Sequence, residues 1–250
     1  MLKTRIIPIL LLRGNSVVKT VQFKDARMVG DAITNVKVFS SRMADEMVIV
    51  DIEATSKGRV NEDLFKRLAK HCVMPLAIGG GIRSLEDAGK LFRSGADKIV
   101  INSEFYLNPE IITDIAGKYG KQAVVFSLDV KQTDHGLLAV SNSSHKVHKL
   151  TAVEAAVKAV NCGAGEIILN SVDRDGGMEG YDLELIRTIS AEVDVPVIAA
   201  GGCGSKDDCV AAIKNGASAV AAGSIFYWIG ESIITLKEYM SQEGIEMRLI

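Results

Sequence analysis

Short apolar runs alternate with longer amphipathic stretches along the whole chain. The runs are Ile6–Leu12, Met47–Asp51, Leu76–Ile78, Lys98–Ile101, Ala123–Asp129, Glu166–Leu169, Val197–Ala200 and Ala219–Ala221. Most are continuous rather than alternating, the mark of parallel strands buried on both faces. Helical patterns lie between several of them. The stretch from Asn61 to Lys70 places Leu64 and Leu68 on one face. Ser84 opens another helix as an N-cap with Glu86 and Asp87 in the first turn, and Ser205 repeats that opening ahead of Asp207 and Asp208. Repeated strand–helix units predict a parallel α/β fold, and eight strands point to a closed (β/α)8 TIM barrel.

An internal repeat strengthens that expectation. Pro75 falls on Pro196, Gly80-Gly81 on Gly201-Gly202, Ser84 on Ser205 and Asp87 on Asp208. The same shift carries Gly95-Ala96 onto Gly216-Ala217, Ser103 onto Ser224 and Phe105-Tyr106 onto Phe226-Tyr227. Each half therefore carries strand, Gly-Gly turn, Ser-capped helix, Gly-Ala turn, strand and a small polar loop. Two such halves make one barrel of duplicated half-barrels. No Pro/Ser-rich linker separates them, so residues 1–250 are expected to form one domain.

Composition narrows the function classes. The 250 residues match the size of a typical barrel, and 23 glycines against 4 prolines suit many short connections. A net charge of -2 calls for neither nucleic acid nor an anionic membrane surface. The run Ile6–Leu12 contains Pro8, is too short to span a bilayer and lacks a cleavage site, so neither a membrane span nor a signal peptide is expected. The cysteines Cys72, Cys162, Cys203 and Cys209 are scattered without metal-ligand spacing, as for reduced thiols in the cytoplasm. No metal and no cofactor is called for.

The candidate chemistry gathers at the C-terminal strand ends, the face where barrels bind ligands. Glycine turns let backbone N–H groups approach an anion. One phosphate cradle would comprise Gly80, Gly81, Asn102 and Ser103; the other, Gly201, Gly202, Gly223 and Ser224. A lone Gly-Gly pair would mean only a tight turn, but the duplication favours an elongated ligand with phosphate at both ends. After the sixth strand, Asp175 and Gly176 could hold hydroxyls or a phosphate. Asp129 ends the fifth strand as a partly desolvated carboxylate suited to general acid/base work, and Asp51 ends the second in the same manner. Half-to-half matching places Asp129 opposite Leu11 and Lys131 opposite Arg13. At the other end of the barrel, Arg5, Glu46, Lys98 and Glu166 begin strands one, two, four and six and could close an ionic ring, by default a structural salt-bridge layer. His71, His135, His145 and His148 show no catalytic order; the last two fall in a basic, Ser-rich stretch expected to be an exposed loop.

From end to end the chain resembles HisF, the cyclase-subunit family of imidazole glycerol phosphate synthase. The resemblance rests on Arg5-Ile-Ile-Pro8, Val17-Val-Lys19, Asp45-Glu46, Gly79-Gly-Gly-Ile-Arg-Ser84, Gly95-Ala-Asp-Lys98, Gly163-Ala-Gly-Glu166, Asp173-Arg-Asp-Gly176 and Gly180-Tyr-Asp-Leu-Glu-Leu185. It implies a ligand with two phosphates and a glutaminase subunit docked on the N-terminal barrel face, with Asp97 at that interface. It further implies ammonia passing a gate formed by Arg5, Glu46, Lys98 and Glu166. Cyclisation in the family uses two aspartates; Asp129 matches the second, but Leu11 stands at the first, within Leu10-Leu-Leu-Arg13, and Asn170 stands where Thr is usual. That variant resembles a paralogous branch tied to surface polysaccharides, which works with a glutaminase and a sugar amidotransferase to form acetamidino sugars. Three functions remain open at this point. They are ammonia handling for acetamidino modification, the histidine-pathway cyclase, and a non-catalytic scaffold that activates the glutaminase.

Overall fold

The structure, a computed structural model, describes residues 3–248. In chain order the first half contains β1 (Arg5–Arg13), β2 (Ser16–Val21), β3 (Lys24–Asp31), α1 (Ala32–Ser41), β4 (Met47–Asp51), α2 (Ala54–Lys57), α3 (Glu62–Ala69), β5 (Leu76–Gly79), α4 (Leu85–Arg93), β6 (Lys98–Ile101) and α5 (Glu110–Tyr119). The second contains β7 (Val124–Thr133), β8 (Gly136–Ser141), β9 (Lys146–Thr151), α6 (Ala152–Cys162), β10 (Glu166–Ser171), α7 (Leu183–Glu192), β11 (Val197–Ala200), α8 (Lys206–Lys214), β12 (Ala219–Ala222) and α9 (Ile233–Gln242). Strands β1, β4, β5, β6, β7, β10, β11 and β12 pair in parallel, each with the next, and β12 pairs back onto β1. This closed ring of strands with its outer helices is the (β/α)8 TIM barrel expected from the sequence.

The duplication is visible element by element. β5 and β11 each have 4 residues, α4 and α8 each have 9, and β6 and β12 each have 4. Ser84 accepts from the Asp87 N–H at the start of α4, and Ser205 accepts from the Asp208 N–H at the start of α8. Both hydroxyls satisfy a backbone donor that the first helical turn leaves without a partner. The halves part company at the end of the repeat, where the matched residues fall in a 3-10 turn at Ser103–Tyr106 but in a π turn at Ile225–Ile229.

Two apolar cores follow from the two-residue period of the strands. Outward side chains pack with the helices in one large cluster. Inward ones form a second, smaller layer inside the barrel: Ile7, Val48, Ala77, Val100, Val125, Ile168, Ile198, Ala200, Ala219 and Ala221.

One expectation is corrected. The basic, Ser-rich stretch after the fifth barrel strand is an exposed turn only over residues 142–145, His145 included; from Lys146 it is a strand, and His148 lies on it. β7 runs on to Thr133 and pairs antiparallel with β8, which pairs with β9. β9 keeps most of its side chains in solvent, so it lacks the apolar signal of a strand. Its turn is made by Asn142, Ser143 and Ser144 in left-handed conformation. β1, β2 and β3 form the equivalent hairpin in the first half. No described helix is long and apolar enough to cross a membrane.

Candidate functional site

Inward positions along four strands climb the barrel in steps of two residues: Arg5, Ile7, Ile9 and Leu11 on β1; Glu46 just before β4, then Val48 and Val50 on it; Lys98 and Val100 on β6, then Asn102 just after it; Glu166, Ile168 and Asn170 on β10. A charged layer, an apolar layer and a mixed upper layer are thus stacked along one axis.

The charged layer is a closed ring. Arg5 Nη1 lies 2.6 Å from Glu46 Oε2 and 3.0 Å from Glu166 Oε1. Lys98 Nζ lies 2.9 Å from each of the same two carboxylates. Each charge has two opposite neighbours, and Glu46 is only 3% exposed. The four residues singled out in the sequence are brought together here. A second pair braces the ring from outside: Lys237 of α9 donates to Asp45 Oδ1 at 2.7 Å, while Asp45 Oδ2 accepts from the Ile6 N–H. Asp97 is engaged within the chain, accepting the Leu76 N–H at 2.8 Å.

The upper layer opens into a cavity of about 290 Å³, the scale of a small-molecule site. All the candidate mouth residues line it: Gly80, Gly81, Asn102, Ser103, Asp129, Asp175, Gly176, Gly201, Gly202, Gly223, Ser224 and Asp51. Its floor reaches Val48, Val100 and Ile168, the apolar layer directly above the ring. Two glycines are demanded by packing as well as by any ligand. A Cβ at Gly80 would stand 2.3 Å from the Asp51 carbonyl oxygen, and one at Gly202 would stand 2.2 Å from that of Gly180. Both hold positive φ, +110° and +108°, which other residues rarely adopt.

Asp129 is held by two amides. Asn102 Nδ2 donates to Oδ2 at 3.1 Å, and Asn170 Nδ2 donates to Oδ1 at 3.4 Å. Burial pushes its carboxyl up to about 7, against the opposing pull of the Asn170 bond. A carboxyl poised near neutrality can give or take a proton. Asp51 and Asp175 are also pushed up by burial. The Glu53 N–H opposes this at Asp51, and the Lys19 charge opposes it at Asp175. Leu11 occupies the equivalent place in the first half. It pairs with Val50 and Val18, as Asp129 pairs with Asn170 and Val140. Leucine offers neither proton nor charge there.

One residue of the mouth carries no expectation from the sequence, and one histidine outside the cavity lining is placed differently from its expectation. Lys19 of β2 is buried, and burial lowers its ammonium to about 8. Its Nζ donates to the Ile9 carbonyl at 2.9 Å and lies against Gly223, where a Cβ would meet it at 1.7 Å. A lysine inside the apolar stretch Ser16-Val-Val-Lys19 was the available signal. His148 lies on β9, stacked on Tyr106 with ring centroids 3.8 Å apart and bonded to Ser141 Oγ at 2.8 Å. The mostly exposed strand that carries it has no apolar pattern to mark it in the sequence.

The fold and site define a (β/α)8 barrel with an ion ring at one end and a polar ligand cavity at the other. The family described as "Histidine biosynthesis protein" matches residues 5–229. The chain is 40% identical to imidazole glycerol phosphate synthase subunit HisF of Exiguobacterium sibiricum, over 99% of this chain and 100% of that one. It is 41% identical to the HisF subunit of Streptomyces avermitilis over 99% of each chain. It is 38% identical, over the full length of both, to a provisionally named imidazole glycerol phosphate synthase subunit hisF2 of Campylobacter jejuni. The chain belongs to the HisF family.

Proposed function

We propose that this chain is the synthase subunit of a glutamine-dependent complex. A glutaminase subunit docks on the N-terminal barrel face, and ammonia crosses the ring of Arg5, Glu46, Lys98 and Glu166. The ammonia then reaches a phosphorylated ligand held at the mouth by the two glycine cradles, with Asp129 as the acid/base group. Support comes from the layering on one axis: a single apolar layer, which is also the cavity floor at Val48, Val100 and Ile168, separates the ring from the cavity. Lys98→Met tests this. It is expected to depress glutamine-driven turnover at least tenfold while leaving turnover with ammonium salts near wild type. Equal effects on both would remove the ring from the nitrogen route.

The use made of the nitrogen divides two ways. The names of the relatives favour imidazole glycerol phosphate cyclisation in histidine biosynthesis. Leu11 argues against that use, and the Leu10-Leu-Leu-Arg13 stretch resembles the branch tied to acetamidino modification of a surface-polysaccharide sugar, with a sugar amidotransferase as second partner. With one carboxylate where cyclisation needs two, the cyclase rate is expected to fall by orders of magnitude. On that observation we take the acetamidino reading. The deciding assay is turnover of the histidine-pathway intermediate with ammonium salts by the wild type and by Leu11→Asp. Efficient wild-type turnover would establish the cyclase; turnover only in Leu11→Asp would support the reading chosen here. If Asp129→Asn leaves the complete pathway intact, the chain acts as a glutaminase-activating scaffold instead.

A further inference from the structure

Three matched positions of the mouth differ in kind between the halves. Ile9 and Leu11 stand on β1 where Ser127 and Asp129 stand on β7, and Val50 pairs with Leu11 as Asn170 pairs with Asp129. All six line the same cavity. Each half therefore builds a wall at the same height, an apolar one on β1 and β4 and a polar one on β7 and β10. Ile9, Leu11 and Val50 each keep part of their surface exposed. Covering that surface favours any apolar group that reaches it.

The order of the strands sets where a ligand meets each wall. Round the closed ring, β1 and β4 lie between β12 and β5, while β7 and β10 lie between β6 and β11. The two glycine cradles stand at the tips of β5 and β6 and of β11 and β12. A ligand stretched from one cradle to the other therefore runs between the walls. One flank lies along Ile9, Leu11 and Val50, the other along Ser127, Asp129 and Asn170. Polar groups mark the edges of the apolar wall: Lys19 Nζ lies against Gly223, and the Asp51 carbonyl lies against Gly80. A hydroxyl turned towards the wall itself would leave water and find no partner, whereas a methyl or methylene group would cover apolar surface.

We propose that the mouth selects a two-phosphate ligand that is apolar along one flank, with Leu11 as the specificity-determining residue. Methyl groups or deoxygenated carbons face β1 and β4; oxygen and nitrogen functions face β7 and β10. The inference deepens the function proposed above and rests on its two phosphate cradles.

The test is isothermal titration calorimetry of the full-length chain with inorganic phosphate, with α,ω-alkanediol bisphosphates of graded length, and with the polyol bisphosphate that matches the tightest of these. Leu11→Asn keeps the size of the side chain and adds no charge. It is expected to weaken the alkanediol bisphosphate about tenfold, to leave inorganic phosphate within about twofold, and to leave the polyol bisphosphate unchanged or tighter. An equal change for both bisphosphates, or none for the alkanediol, would overturn the proposal, while phosphate binding to the wild type keeps the cradles in place. Absence of wild-type binding by inorganic phosphate and by every bisphosphate would remove the cradles and the proposal together. Leu11→Ala shortens the wall without adding polarity. It is expected to weaken the alkanediol bisphosphate in the same direction, and it carries the test if Leu11→Asn does not fold.

Discussion

At the N-terminal end of the barrel, buried Glu46 lies 2.6 Å from Arg5 and 2.9 Å from Lys98, and Glu166 completes the square. At the C-terminal end, Asp129 and Lys19 are as deeply enclosed, yet among the described residues neither forms an ion pair. Asp129 rests on two neutral amides and Lys19 on a carbonyl oxygen. Paired charges recover much of the cost of leaving water through mutual attraction. Unpaired ones recover it by moving towards their neutral forms, so Asp129 rises and Lys19 falls. The bottom of the barrel is electrostatically complete, whereas the mouth is left for a ligand to complete.

Three measurements would break or sharpen this contrast. The largest effect belongs to Glu46→Ala, which strands Arg5 and Lys98 around a single carboxylate. Loss of one partner from a buried pair costs about 3–5 kcal/mol; with Arg5 23% exposed, the lower figure is expected from urea unfolding at pH 7. A loss below about 1 kcal/mol would mean that solvent already screens the ring.

Next comes Asp129→Asn. The wild-type carboxyl moves from an ordinary value of 3.8 up to about 7 on folding, so the folded state binds a proton that the unfolded state has released. Stability should therefore decline as pH rises from about 4 to about 7 and level off above. The amide variant keeps the shape without the ionisation and should gain about 2–3 kcal/mol at pH 8. The same slope in both proteins would show that Asp129 is solvated.

The smallest effect is that of Lys19→Met, with the opposite sign in pH. The ammonium falls from 10.5 to about 8, so the wild type should gain stability as pH climbs from about 8 to about 10.5. Loss of that slope, with a gain of about 1–2 kcal/mol at pH 7, is expected in calorimetric or urea melts. A destabilised variant would mean that the Ile9 bond and the Tyr227 ring, whose centroid lies 5.3 Å from Lys19 Nζ, outweigh desolvation.

The barrel was legible because parallel strands buried on both faces must be apolar without alternation, and Met47–Asp51, Lys98–Ile101 and Val197–Ala200 are bounded by sequence as they are by structure. The mouth was legible because duplication marked the same turns twice, and all twelve candidates converge on one cavity. The hairpins were illegible for the complementary reason. β3 and β9 project from the barrel and leave most of their residues in solvent, so no core demanded an apolar pattern from them. Lys19 went unassigned because its environment depends on where that hairpin folds back, with Gly223 brought beneath it from the far end of the chain.

The inward layer between ring and mouth is uneven in girth. β1, β4, β6, β7 and β10 fill it with the branched side chains of Ile7, Val48, Val100, Val125 and Ile168, β11 adds Ile198 and Ala200, and β5 and β12 offer only Ala77, Ala219 and Ala221. The packing is therefore uneven, with the least side-chain bulk where β12 contributes only alanines. Small inert gases under pressure should lodge against Ala221 first, and valine there should take up the space that alanine leaves.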